Sequence, residues 1–200
     1  MNHEDNNWIQ THSGKVFRPL APEQDSIVIE DIAHALSMLC RFSGHVREFY
    51  SVAQHSVYVG RAVWERSRGE DPGCDAAELV FAALMHDASE AYCVDVPRPI
   101  KRLPELAGYR EIEARVEAAI NQRFGIAPEI AAHPWIKEAD LAVLAAEARD
   151  LLNTPDQKWE LRATPYPSPI CPTTPGWAKD DFLSAFLAQQ SRRQSDGPAT

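Results

Sequence analysis

Residues 75–87, Asp75-Ala76-Ala77-Glu78-Leu79-Val80-Phe81-Ala82-Ala83-Leu84-Met85-His86-Asp87, decide the fold. Asp75 is an N-cap type. Leu79, Ala82, Ala83 and His86 recur at steps of three and four, so the stretch predicts an apolar helix whose buried stripe ends in a histidine. The same period extends outward in both directions. Upstream, residues 30–42 predict a first helix with Ile32, Leu36 and Leu39 on one stripe and Gly44 past its end. Ser51 caps a second helix over 52–67, stopped by Gly69. Downstream, Asp95-Val96-Pro97-Arg98-Pro99 interrupts the pattern, because two closely spaced prolines do not fit a regular helix. Further helices are predicted over 109–124, ending at Gly125, over 134–152 and over 177–190. Residues 153–176 hold Pro155, Pro165, Pro167, Pro169, Pro172 and Pro175 and read as irregular, partly polyproline-like chain.

The front of the chain differs. Residues 8–11 and 16–18 read as two short strands around a turn containing Gly14, a β-hairpin within a 1–29 extension. The fold class expected is therefore all-α, a helical bundle with a short N-terminal hairpin. Its single domain spans 1–190, and 191–200 form a flexible polar tail. Two hundred residues suit one domain, and 44% hydrophobic with 24% charged residues is ordinary globular usage, which argues against a disordered or fibrous chain. No apolar run approaches the roughly 18 residues of a membrane span, and Met1 to Trp8 is no signal peptide, so no membrane partner and a cytoplasmic location are expected. Cys40, Cys74, Cys93 and Cys171 are scattered without a C-x-x-C pair and read as free thiols in a reducing compartment. A net charge of −9 disfavours nonspecific duplex binding, so no stable nucleic-acid complex is expected. An anionic substrate must then be drawn in locally, by a metal or by convergent basic residues.

Taken singly, His86 reads as a satisfied core histidine. It has partners of the same kind. His55 shares a face with Val52, Val59 and Ala62, and Asp140 shares one with Ile136, Val143, Leu144 and Glu147. A carboxylate in an apolar stripe is costly unless paired or metal-bound. Three helices thus each offer a His or Asp to the interior. With Asp87, they supply two imidazoles and two carboxylates, a donor set suited to one divalent transition metal: Zn, Co, Mn, Fe or Ni.

The order His55, His86-Asp87, Asp140 resembles the H…HD…D pattern of the HD-domain phosphohydrolases. His86-Asp87-Ala88-Ser89-Glu90, followed by Asp95, Pro97, Pro99 and Lys101, resembles a stretch of bacterial 5′-deoxynucleotidases, as does Lys137-x-Ala139-Asp140. Upstream, residues 31–37, Cys40 to His45 and Phe49 to His55, with the hairpin in front, are more similar to phage dATP triphosphohydrolases. Phe42 stands where the deoxynucleotidases usually have Trp, and their stretch before the last Asp is longer. The resemblance implies an HD-domain bundle that hydrolyses 2′-deoxynucleotides, dATP to deoxyadenosine and triphosphate, or alternatively a 5′-deoxynucleotidase acting on monophosphates. A binding module that senses nucleotides without turnover is a third reading, disfavoured by the intact quartet.

The same resemblance implies His55, His86, Asp87 and Asp140 as metal ligands, with further Mg or Mn accompanying the substrate phosphates. Glu90 would act on water or its proton, and Asp95 would face the sugar. Arg41 and Lys101 would hold phosphate oxygens, and Phe42 and Pro99 would line the nucleoside side. It also implies a homo-oligomer and, for a phage-encoded chain, the host cytoplasm. His34 is not counted as a ligand, and His45, after Gly44 at a helix end, reads as a cap or a phosphate contact.

Overall fold

The computed structural model describes residues 7–157 and 163–195. Its front is a two-stranded antiparallel hairpin, β1 (Ile9–Gln10) and β2 (Val16–Phe17), with Ile9 opposite Phe17. Nine α-helices follow among the described residues: α1 (Ile29–Met38), α2 (Val52–Ser67), α3 (Ala76–Met85), α4 (Glu90–Cys93), α5 (Arg98–Lys101), α6 (Ala107–Phe124), α7 (Pro128–Ala131), α8 (Pro134–Leu151) and α9 (Pro175–Ser195). The fold is all-α with a short N-terminal hairpin, as the periodicity implies. No helix among the described residues is long and apolar enough to cross a membrane.

Helix α2 is the hub, packing against α1, α3, α8 and α9. Local chemistry sets its ends and those of its neighbours. The Ser51 hydroxyl accepts from the Gln54 amide at 3.2 Å, and the Asp75 carboxylate accepts from the Glu78 amide at 3.0 Å. α6 ends at Gly125, whose φ of 65° closes the helix in the left-handed region. Val52, Val59, Val63, Leu79, Ala83, Leu84, Val143 and Phe182 fill the centre, all nearly inaccessible. Burial of such apolar surface contributes about 25 cal/mol per Å² and is the main force holding the bundle together.

The expected helix over 30–42 is shorter than its period suggests. α1 stops at Met38, because the chain beyond it is captured by the approach to α2. Cys40 bridges Ser51 antiparallel, the Val52 amide donates to the Leu39 carbonyl at 3.1 Å, and the Arg41 amide donates to the Tyr50 carbonyl at 2.9 Å. Phe42, Ser43 and Gly44 then all adopt positive φ (55°, 52° and 82°), a strained turn for the first two.

At the other end, α9 extends through Ser195, so residues 191–195 are helical where a flexible tail was expected; 196–200 lie outside the described residues. Part of the Pro-rich segment, 158–162, also lies outside them. The portion leading into α9 is strapped to α2, with the Gln54 amide bonding the Cys171 carbonyl (3.1 Å) and the Thr173 amide (3.2 Å). The four cysteines are free.

Candidate metal centre

Three helices deliver the histidines and aspartates to one point. His55 is on α2 and fully buried; His86 and Asp87 follow α3; Asp140 is on α8, 8% exposed. The nearest ligand-type atoms of His55, His86 and Asp140 all lie within 4.8 Å of one another, a group able to hold a metal ion. Asp87 closes the arrangement: its Oδ2 is 3.2 Å from His86 Nε2 and 3.6 Å from His55 Nε2, while Asp140 Oδ1 is 3.4 Å from His55 Nε2.

The outer nitrogens of both rings are fixed. His55 Nδ1 donates to Glu147 Oε1 at 2.7 Å, and His86 Nδ1 donates to the Ala83 carbonyl at 2.9 Å. Each ring therefore turns its Nε2 inward, and both of these buried atoms lack a hydrogen-bond partner. Buried polar atoms are seldom left so. Two imidazole nitrogens oriented by an acceptor behind each, facing two carboxylates, fit a divalent ion.

The electrostatics agree. Burial and Arg41 oppose a charge on His55, but Glu147 and Asp140 outweigh them and push its pKa up to about 9; a metal ion would take the place of the proton so held. Burial likewise opposes ionisation of Asp87 and Asp140. His86, His55 and Arg41 hold the first well below the usual carboxylate range, and His55, His86 and Lys137 do so for the second.

The centre lies on the wall of a cleft of about 1830 Å³, which Arg41, Phe42, Glu90, Asp95, Pro99 and Lys101 also line. Every site residue singled out from the sequence thus reaches the cleft except His55, which stands fully buried behind its wall. Glu90 opens α4; it is 7% exposed, and its Oε2 has no hydrogen-bond partner. Burial, then the charges of Asp87 and Asp95, push its carboxyl well above the ordinary range. Burial also raises Asp95, with Arg41 opposing and Asp87 adding. Asp95 follows Val94, a β-branched residue at φ 70°, whose carbonyl accepts from the Tyr109 hydroxyl at 3.0 Å. Strain of this kind persists only where the surroundings impose it, and here it sets the direction of the chain into Asp95.

Arg41 and Lys101 are less free than their sequence positions suggest. Arg41 gives Nε and Nη2 to Glu147 Oε2 (3.3 and 3.0 Å), leaving Nη1 turned toward Asp87 at 3.8 Å. Its guanidinium lies 5.4 Å from the centre of the Phe42 ring. The Lys101 ammonium is tied to Glu113 of α6 at 2.5 Å. His45 lines the cleft. His34 does not approach the metal centre: it stacks on His12 of the hairpin turn at 3.6 Å between ring centres.

Three contributors to the site were not singled out from the sequence for these roles. Glu147 orients His55 and binds Arg41. Arg98 of α5 reaches Asp140 Oδ2 at 3.4 Å, and Lys137 bonds the same oxygen. Lys137 and Glu147 lie three residues before and seven after Asp140, on its helical face, a signal the sequence did carry. In all, Arg41, Arg98, Lys101, Arg102, Arg110 and Lys137 line the cleft against five carboxylates. In a chain of net charge −9, that gathers six cations at one place and leaves the lining near balance.

Fold and site together define a helical-bundle protein with a histidine–carboxylate group able to hold a metal at the wall of a cleft lined by both cations and carboxylates. The chain is 41% identical over 182 residues to the uncharacterized protein YfdR of Escherichia coli, covering 90% of this chain and 93% of that one. It belongs to the YfdR family. It is also 35% identical over 149 residues to an uncharacterized protein of Rhodobacter capsulatus, covering 72% of each. No family model matches the chain.

Proposed function

We propose that this protein is a metal-dependent phosphohydrolase of 2′-deoxynucleotides, with dATP converted to deoxyadenosine and triphosphate. The observation that carries the reading is the pair of buried, partnerless Nε2 atoms of His55 and His86, aimed with Asp87 and Asp140 into a cation-rich cleft. These four side chains would hold the ion. A divalent ion in such a cage polarises a phosphoryl oxygen and acidifies bound water at neutral pH.

The chain's own residues supply the rest. Arg41 offers the anion Nη1, the arm not taken by Glu147. Glu90, buried and partnerless at Oε2, is the group able to take or return a proton at the α-phosphate. Asp95, on the cleft lining, would accept from the 3′-hydroxyl and crowd a 2′-hydroxyl. Arg98 and Lys137 both pair with the outer oxygen of Asp140 and would add cationic partners for the further phosphates of a triphosphate.

The test is Asp87→Asn, which keeps the size of the side chain and removes its charge. Metal content after dialysis and hydrolysis of dATP are both expected to collapse. Full retention of metal and activity would reject the site.

A further inference from the structure

Glu147 takes no part in the chemistry above, yet it is fully buried, an unfavourable place for a carboxylate unless both oxygens are paired. Both are. One oxygen accepts His55 Nδ1–H at 2.7 Å, and the other accepts Arg41 Nη2 and Nε at 3.0 and 3.3 Å. It lies two helical turns along α8 from Asp140, on the same face. The backbone that carries Arg41 is itself fixed, its amide donating to the Tyr50 carbonyl just before the left-handed turn at Phe42 and Ser43. Only Nη1 is left to face Asp87 and the cleft.

We propose that Glu147 is a positioning residue that ties the metal centre to the anion-binding cation: one carboxylate aims His55 Nε2 at the ion and holds Arg41 with Nη1 toward the cleft. The inference rests on the metal-centre reading above. It requires acceptors on both oxygens. A glutamine has one acceptor and one donor, so it satisfies either His55 or Arg41 and opposes an N–H with an N–H on the other side.

The competing explanation is that Glu147 merely neutralises Arg41. The two separate in a four-protein comparison of wild type, Glu147→Gln, Arg41→Met and the double variant of Arg41→Met with Glu147→Met, in which no acceptor stands behind His55 Nδ1 and no guanidinium is left to neutralise. Zinc affinity is read by competition with a chromophoric chelator, anion affinity by calorimetry with inorganic phosphate on the zinc-loaded proteins, and folding by circular dichroism. Loss of a partner behind a ligating histidine typically weakens metal binding about 10- to 100-fold. Glu147→Gln is expected to lose zinc affinity by that factor and phosphate affinity as well. Arg41→Met is expected to lose phosphate affinity alone, and the double variant to bind zinc as weakly as Glu147→Gln.

Wild-type zinc affinity in Glu147→Gln, or its recovery in the double variant, overturns the proposal. If Glu147→Gln does not fold, Glu147→Asp keeps the charge but shortens the reach. It is expected to fold and bind zinc weakly, and wild-type affinity there overturns the proposal equally. A wild-type protein that binds no zinc rejects the metal-centre reading itself, whereas zinc binding that ignores Glu147 rejects only this inference.

Discussion

Replacing Glu90 by glutamine should slow the reaction and stabilise the metal-free protein, a combination that a structural role does not produce. Glu90 is 7% exposed, its Oε2 has no partner, and Asp87 and Asp95 add to the cost of charging it. Its folded-state pKa is therefore raised above the ordinary 4.5. A carboxyl raised in this way costs the fold nothing below its unfolded pKa. It costs progressively more as the pH climbs toward the folded value, because the unfolded chain ionises freely and the native one does not. Glutamine has nearly the same shape and no charge to suppress. Metal-free Glu90→Gln should thus melt with wild type near pH 4.5 and above it at pH 8, as followed by circular dichroism.

The same substitution also removes the ability to accept a proton. General acid–base help is typically worth about 10² to 10⁴ in rate, or about 2.7 to 5.5 kcal/mol of barrier. With metal restored, kcat on dATP should fall within that range while zinc content stays at the wild-type level. A variant that melts lower at pH 8 and also loses zinc would make Glu90 a support for the ligands. One with unchanged kcat would remove it from the proton path.

Two other expectations concern neighbouring groups. If Asp95 accepts from the 3′-hydroxyl, wild type should prefer dATP over ATP by at least about tenfold, roughly 1.4 kcal/mol, and Asp95→Asn should narrow that ratio as well as the rate; equal wild-type rates on both would refute the assignment. His55 holds a proton with a pKa of about 9 in the metal-free site. Zinc must displace that proton, so apparent affinity should rise about tenfold per pH unit below pH 9 and level off above it. The stability His55 gives the metal-free fold should be complete below pH 6.5 and fade as the pH rises through about 9. Chelator competition and melting curves at pH 6.5, 8 and 9.5 check both slopes, and a flat affinity would contradict them.

Local chemistry was the most legible part of the sequence. Ser51 and Asp75 cap α2 and α3 through bonds made within three residues, and Gly125 ends α6 through its own φ. The stripe through Leu79, Ala82, Ala83 and His86 is a property of one helix. What failed was reading tertiary capture from a period. Leu39 continues the apolar stripe of α1, but its carbonyl is taken by Val52 and the helix ends. Lys101 reads as a free cation because nothing in its own segment announces Glu113 on α6. Glu147 shows both sides. Its register with Asp140 is visible, but that it faces His55 and Arg41 depends on how α2 and the turn after α1 dock on α8. The inward turn of both Nε2 atoms is likewise a tertiary result, since it needs the Glu147 and Ala83 acceptors behind the rings.

The central claim is tested most directly by incubating the metal-loaded protein separately with dATP, dAMP and ATP and resolving the products by anion-exchange chromatography. The account predicts deoxyadenosine and intact triphosphate from dATP in equal amounts, much slower release of phosphate from dAMP, and slower turnover of ATP. Phosphate from dAMP with dATP untouched would replace the triphosphate reading with a 5′-deoxynucleotidase. No product from any of the three, with metal bound in the site, would contradict the account.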